Sequence, residues 1–303
     1  MEVSPIAFFT YKRPEHTRQS LESLAQNEWA DQSELFIFCD GPKNTEDEKN
    51  VKQVREVVRS KQWCKNVHII ERESNMGCAN SIISGVTEVC EKYGRIIVLE
   101  DDLLLSPFFL DYMNKALNLY KDYPEIMQIS GHMYPVELDV KTDAIFLPFI
   151  TAWGWATWQR SWKNFDHKMA GYKILETDKN LRYIFDFNGS YPFFKMLQSE
   201  IRTNLDTWDV RWYLTIFILR GLTLHPVQSL VKNIGFDGSG THCQKQKNNS
   251  VYYKAQINNF PLAAVENEQA KSIIFNYLKQ VEKRNLNDVL NKILNKTLLL
   301  LNS

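Results

Sequence analysis

The sequence lacks most of the devices that announce what a chain binds. Its 303 residues contain no G-x-G-x-x-G and no G-x-x-x-x-G-K-[ST], so neither glycine-rich turn that cradles a dinucleotide or a nucleoside triphosphate is available. No stretch offers the roughly 20 uninterrupted apolar residues that cross a bilayer. The start, MEVSPIAFFTYKRPEH, soon becomes charged and lacks the basic residues, apolar run and small-residue cleavage site of a secretion signal. Net charge is missing too: 36 basic residues balance 36 acidic ones, which removes the basic field that would recruit nucleic acid. Cysteine is scarce. Cys39, Cys64, Cys78, Cys90 and Cys243 are odd in number and show no paired metal-ligand spacing, a usage that predicts reduced thiols in the cytoplasm and no disulfide framework.

What is present is ordinary in bulk and specific in detail. Hydrophobic content of 44% and charged content of 24% fit a soluble globular protein, and the length fits one large domain with a modest appendage. The first hundred residues alternate strand and helix. Pro5–Thr10, Leu35–Cys39 and Val67–Ile70 read as strands, and residues 15–27, 44–60 and 79–93 carry helical periodicity, the second through Val51, Val54, Val57 and Val58. This spacing predicts a mostly parallel sheet flanked by helices and joined by right-handed crossovers.

Arg95–Asp102 closes that half. Four apolar residues, Ile96 to Leu99, read as a strand buried on both faces, and three consecutive carboxylates follow, Glu100, Asp101 and Asp102. Ligands of open α/β sheets bind outside the carboxyl ends of the strands, so these acids are placed to hold a hard divalent cation against phosphate oxygens. Extended geometry would point Glu100 and Asp102 to one face and Asp101 to the other.

Beyond Asp102, Ser106-Pro107 predicts the start of an amphipathic helix running to about Tyr120, and Met127–Ser130 reads as a strand. Six of the eight tryptophans lie between Trp153 and Trp212, four of them within ITAWGWATWQRSW. They suit either a core of large rings, with Trp158 and Trp162 at helical spacing, or a wall that stacks on a sugar, for which Trp153, Trp155 and Trp208 are the candidates. Residues 204–221 form an apolar helix with Asp209 at its head, where the helix dipole favours the ionised form. A glycine-rich loop, Gly235–Cys243, suits a segment that orders over a ligand. Near the end, Leu286, Val289, Leu290, Ile293 and Leu294 follow amphipathic helical spacing. Such a helix suits packing on its own domain, contact with a membrane surface, or oligomerisation.

These features, in this order over residues 3–243, resemble GT-A fold glycosyltransferases, in particular the N-acetylglucosaminyltransferase I type. IIVLEDDLLLSPFFLDYM is similar to that family's Glu-Asp-Asp strand and following helix. TWDVRW is similar to its Trp-Asp segment, and LHPVQSLVKNIGFDGSGTH to its closing loop. PIAFFTYKRPE and IFCDG are similar to its first two nucleotide-binding strands. The resemblance implies a GT-A, Rossmann-like α/β domain over 1–245, with a nucleotide-binding half (1–105), an acceptor half (106–245) and a helical appendage (246–303). It further implies a metal at Asp102 bridging the diphosphate of a UDP-linked donor, with Glu100 and Asp101 assisting. Asp40 would contact the base, Tyr11 and Arg13 the base or diphosphate, and Ser239 and His242 would belong to the closing loop. Asp209 would be the general base. Family members place two acids after the tryptophan, whereas Val210 follows here, so Asp206 stands as the reserve base. The implied activity is inverting transfer to a glycan or lipid-linked saccharide in the cytoplasm, with peripheral contact to the inner face of the membrane. The rivals are a nucleotidyltransferase, which should carry a basic phosphate loop, and a silent carbohydrate-binding protein.

Overall fold

The computed structural model describes residues 2–203, 207–239, 252 and 254–283. Its first element is β1 (Ile6–Thr10), five residues buried throughout, followed by α1 (Pro14–Ala25), which begins on the proline. Proline suits that place because its missing N–H would be unpaired there anyway. Next come β2 (Glu34–Cys39) and α2 (Thr45–Arg59), whose Asn44 cap accepts the Asp47 N–H at 3.0 Å and whose valine stripe, Val51, Val54, Val57 and Val58, is buried. Then follow β3 (Asn66–Glu71), α3 (Cys78–Tyr93) and β4 (Arg95–Glu100). Gly94 ends α3 at φ 75°, a left-handed cap that glycine adopts without Cβ strain.

The chain continues through β5 (Leu103–Leu105), α4 (Phe109–Leu119), β6 (Ile126–Ser130), β7 (Ala144–Leu147), β8 (Trp155–Trp158) and the short α5 (Gln159–Trp162). Three helices, α6 (Gly171–Thr177), α7 (Lys179–Phe185) and α8 (Phe193–Thr203), lead to α9 (Asp209–Ile218), β9 (Leu222–Pro226) and β10 (Val231–Asn233). Residues 268–283 form α10, the last helix among the described residues.

The main sheet has the order β3-β2-β1-β4-β8-β6-β9-β7, and β5 pairs with β10 in a separate antiparallel ribbon. Neighbours from β3 to β4 run parallel, as does β6 with β9, whereas β8 runs antiparallel between β4 and β6 and β7 antiparallel beside β9. The α/β class and the parallel arrangement of β3, β2, β1 and β4 match the pattern in the sequence. The other half is mixed, because the tryptophan run is not helical at its start. Trp155–Trp158 is a buried strand in the middle of the sheet, and only Gln159–Trp162 is helical. Since β8 reverses between β4 and β6, the carboxyl ends of β1, β2, β4, β6 and β9 share one edge with the amino end of β8.

Two compact units divide the chain: Met1–Pro135, Asp139–Met169 and Asp206–Glu266 form the first, and Val136–Leu138, Ala170–Leu205 and Asn267–Ser303 the second. The first holds the sheet. The second is helical and closes on its own rings, Phe187 stacked on Phe275 at 4.7 Å and Tyr172 on Phe194 at 5.3 Å. Within the sheet unit Phe146 bridges to Glu266. The amphipathic positions from Leu286 to Leu294 lie outside the described residues. No helix among the described residues is long and apolar enough to cross a membrane.

Candidate functional site

β4 stops at Glu100, and Asp101 and Asp102 occupy a turn before β5. The strict alternation expected of the three acids therefore fails after the first. Asp101 and Asp102 meet the same cation: Arg13, in the loop between β1 and α1, donates from Nη2 to Asp101 Oδ1 and, at 3.0 Å, to Asp102 Oδ2. Burial works against the guanidinium charge, but the two carboxylates outweigh it and hold Arg13 above its ordinary value. Asp101 is further fixed by the Thr10 hydroxyl at 3.2 Å, and its carbonyl accepts from Ser20 in α1 at 2.8 Å. These contacts make Asp101 a framework acid.

Asp102 is held differently. Its carbonyl accepts the Ile234 N–H at 2.8 Å, and Oδ1 has the Asn233 amide at 3.5 Å. Gly235 lies so close that a Cβ there would collide with Asp102 Oδ2 and come within 3.0 Å of Arg13 Nη1. A glycine is needed because the β10 exit packs its backbone directly on the carboxylate. The loop continues to Asp237, which accepts from Ser239 N–H at 2.9 Å and Oγ at 2.6 Å and faces His16 Nε2 at 3.3 Å. The Ser239 hydrogen bonds, helped by His16 and Arg13, hold the Asp237 carboxyl below its usual range.

Charge is under-compensated at Glu100. The residue keeps some solvent contact, yet the dense protein around it, and then the negative charges of Asp102, Asp101 and Asp209, push its carboxyl up to about 8. Burial also raises Asp102, against the opposing pull of Arg13. Asp209, the first residue of α9, is thus brought into the field of the acidic turn although 109 positions separate it from Glu100 in the sequence. Its Oδ1 accepts the Val210 N–H at 2.9 Å. Carboxylates gathered with too little positive charge suit a cation or a proton-transfer role.

Among the described residues no three metal-ligating side chains converge. The donor set is one carboxylate oxygen of Asp102 beside Glu100, with Arg13 already on the other Asp102 oxygen. That is no all-protein cage. It fits the way Mg²⁺ and Mn²⁺ are held by one or two carboxylates together with substrate phosphates.

The remaining sequence candidates separate into three groups. Tyr11 lies near the site loop but is tied sideways: its hydroxyl donates to Asp47 at 2.6 Å and accepts the Lys43 N–H at 3.0 Å, and burial together with Asp47 pushes it to about 12. Asp40, at the end of β2, accepts the N–H groups of Gly41 at 3.0 Å, Met76 at 2.9 Å and Gly77 at 3.2 Å, so its carboxylate anchors the entry to α3. Trp155 and Trp208 are not a wall. Trp155 is fully buried and Trp208 nearly so, stacked at 4.9 Å within a cluster that includes Trp162 and Trp212; rings enclosed on both faces cannot take a sugar without opening the core. Trp153 alone of the three keeps partial exposure. Asp206 and His242 lie outside the described residues. Asn233, Gly235, His16 and Asp47 are site or near-site residues that the sequence reading did not single out, although Gly235 belonged to the glycine-rich loop already marked, as did Asp237.

No protein-family model matches the chain, and no curated protein matches its sequence. Among solved structures it is similar to S. aureus TarS 1-349 in complex with UDP-GlcNAc, at 10% identity and a TM-score of 0.42 over 76% of this chain and 58% of that one. It is similar to the apo form of mouse xyloside xylosyltransferase 1 at 11% identity and 0.39, over 72% and 82%. A third is the galactosyltransferase LgtC with donor and acceptor sugar analogues, at 8% and 0.35, over 58% and 65%. The chain spans less than two thirds of the TarS 1-349 length that it matches. With all three TM-scores below one half, these likenesses decide nothing about activity, which has to be argued from the acidic turn and its neighbours.

Proposed function

We propose that this protein is a metal-dependent, inverting glycosyltransferase that moves a hexosyl or N-acetylhexosaminyl group from a UDP-linked donor to a hydroxyl of a glycan or lipid-linked saccharide. The observation that carries the reading is the meeting at Asp102 of Arg13 from the loop after β1 and Gly235 from the loop after β10, with Asp209 acting on the neighbouring Glu100. The identity of the donor nucleotide rests on the sequence resemblance.

In this reading Arg13 would contribute positive charge toward the donor diphosphate, and Asp102 is the residue that would hold Mn²⁺ or Mg²⁺. A bound divalent ion would neutralise the charge that develops on the leaving diphosphate. The acceptor oxygen attacks the anomeric carbon as the bond from that carbon to the diphosphate breaks, and the acceptor proton passes to the Asp209 carboxylate. A single base opposite the leaving group gives inversion, unlike the paired flanking carboxylates of glycoside hydrolases.

The test is nucleotide release from a panel of UDP-sugars with saccharide acceptors. The wild type is expected to release UDP with Mn²⁺ and Asp209→Asn to bind donor but not transfer. Full transfer by Asp209→Asn would remove Asp209 from the role of base, and saccharide binding with no nucleotide release from any donor would favour a binding protein.

A further inference from the structure

The two margins of the main sheet are finished differently. At the β7 margin the chain lays its own later segment alongside. The Asp143 N–H donates to the Asn259 carbonyl at 2.8 Å, the Asp143 carboxylate accepts the N–H groups of Asn258 at 2.9 Å and Asn259 at 2.8 Å, and Phe146 bridges to Glu266. At the opposite margin, β3 has no such cover among the described residues.

β3 pairs with β2 in parallel, from Asn66 opposite Glu34 to Glu71 opposite Cys39, in unbroken register. The Asn66 N–H donates to the Ser33 carbonyl at 3.4 Å and the Arg72 N–H to the Cys39 carbonyl at 3.0 Å. A strand in a parallel pair bonds its neighbour through alternate residues, so Asn66, His68, Ile70 and Arg72 turn their N–H groups toward β2. Val67, Ile69 and Glu71 turn theirs away, together with their carbonyls, and no described residue bonds to any of them. The carbonyls on either side are taken by side chains, that of Lys65 by Gln62 Nε2 at 3.0 Å and that of Arg72 by Arg55 Nη2 at 2.6 Å. The bare stretch is thus bounded at both ends. Inside it there is no proline, no lysine and no bulge, the devices that usually guard an exposed edge. Val67, Ile69 and Ile70 are only half-buried there.

We propose that β3 is a self-association edge, pairing antiparallel with β3 of a second copy of this chain about a two-fold axis at Ile69. The case for a second copy is self-complementarity. With Ile69 on the axis, Val67 lies opposite the partner's Glu71, His68 opposite the partner's Ile70 and Asn66 opposite the partner's Arg72. Just past the strand ends, exposed Lys65 lies opposite the partner's Glu73, also exposed, and the two-fold repeats that pair. Opposite charges across strands attract and like charges repel; here no like charges face each other. Only this register places every outward N–H and C=O of Val67, Ile69 and Glu71 in a ladder bond, since a slip by two residues leaves one of the three unpaired in each copy. The interface is isologous, as a closed dimer requires. It is a small one, of the class that associates weakly. It is independent of the catalytic reading, because none of these residues belongs to the acidic turn.

The experiment is sedimentation velocity of the full chain over about 1–200 µM, at low salt, with hydrogen exchange of the backbone amides at both ends of that range. Wild type should pass from monomer to dimer, and the amides of Val67, Ile69 and Glu71 should slow as it does. Ile69→Pro removes an outward N–H and leaves the His68 and Ile70 bonds to β2 in place; it should weaken the dimer at least about tenfold. Lys65→Glu and Glu73→Lys should each weaken it about threefold or more, and the double variant Lys65→Glu/Glu73→Lys should return to within about twofold of wild type. Should Ile69→Pro fail to fold, the charge variants decide the matter. A monomer at every concentration would overturn the proposal, whether those amides exchange freely or are protected by another segment. So would a dimer indifferent to Ile69→Pro, or a double variant no better than the single ones.

Discussion

The two halves of the sheet's carboxyl edge use opposite chemistry. Around β1 and β4 the chain gathers charge, with Arg13 between Asp101 and Asp102 and with Glu100 pushed up by burial and by the negative charges of Asp102, Asp101 and Asp209. Around β8 and α9 it gathers rings, with Trp155, Trp162, Trp208 and Trp212 packed on each other out of reach of solvent. The same type of prominent sequence signal thus means two things. Charge that is buried and under-compensated is expensive to fold and indicates a function; rings that are buried and mutually stacked stabilise. Mutation should separate the two halves, activity failing in one and stability in the other.

Asp209→Asn should give the largest effect on the charged side, a loss of about 10²–10⁴-fold in transfer with donor binding retained, read as kcat against KM for the donor. Asp102→Ala should follow, lowering transfer by about 10³-fold, roughly 4 kcal/mol of transition-state stabilisation, with a melting temperature unchanged or raised because a repelling carboxylate is gone. On the aromatic side, Trp155→Ala should lower stability by about 3–5 kcal/mol through a core cavity, seen in denaturant unfolding. If Trp155→Ala left stability intact and removed activity alone, the contrast between the halves would collapse. Gly235→Ala tests the junction: the new methyl displaces Asp102 or Arg13, and a loss of about tenfold in transfer is expected against a stability cost of about 1–3 kcal/mol.

The mildest effect is with pH. Burial holds His132 at about 3 and His225 at about 4, below the unfolded value near 6.5. Both rings are neutral in the folded and unfolded chain above that value, so their contribution is constant there. As pH falls below it the unfolded chain binds protons that the folded chain refuses, and stability declines toward the folded values. Between pH 7 and 6 the two together should cost roughly 1 kcal/mol, measured by denaturant midpoints.

How far the sequence was legible follows from the range of the interactions. The β1–β4 half was readable because each helix buries one stripe and β1, β2 and β4 carry apolar runs, patterns set by neighbours in sequence. β8 escaped notice because Trp155-Ala-Thr-Trp158 is buried on both faces and shows no alternation, and Trp158 and Trp162 have helical spacing by chance. The acids at 100–102 were legible as a charged strand end, but not the turn that aims Asp101 and Asp102 at Arg13, 89 positions earlier than Asp102. Gly235 was visible as part of a flexible-looking loop, and the reason for it, a carboxylate under its α-carbon, exists only once β10 pairs with β5. Asp40 was legible as an acid at a strand end, but not the hydrogen bonds it accepts at the entry to α3, because nothing local predicts that Met76 and Gly77 fold back onto it.

The central claim is that Asp102 is the seat for a nucleotide sugar and its metal. Ligands that bind only the folded state raise its apparent stability, so thermal shift of wild type and Asp102→Ala with UDP-sugars, each in Mn²⁺ and in chelator, addresses it directly. A UDP-sugar should raise the wild-type melting temperature in Mn²⁺, less so in chelator, and leave Asp102→Ala unmoved. An equal shift in Asp102→Ala, or no shift of the wild type with any nucleotide sugar, would contradict the account.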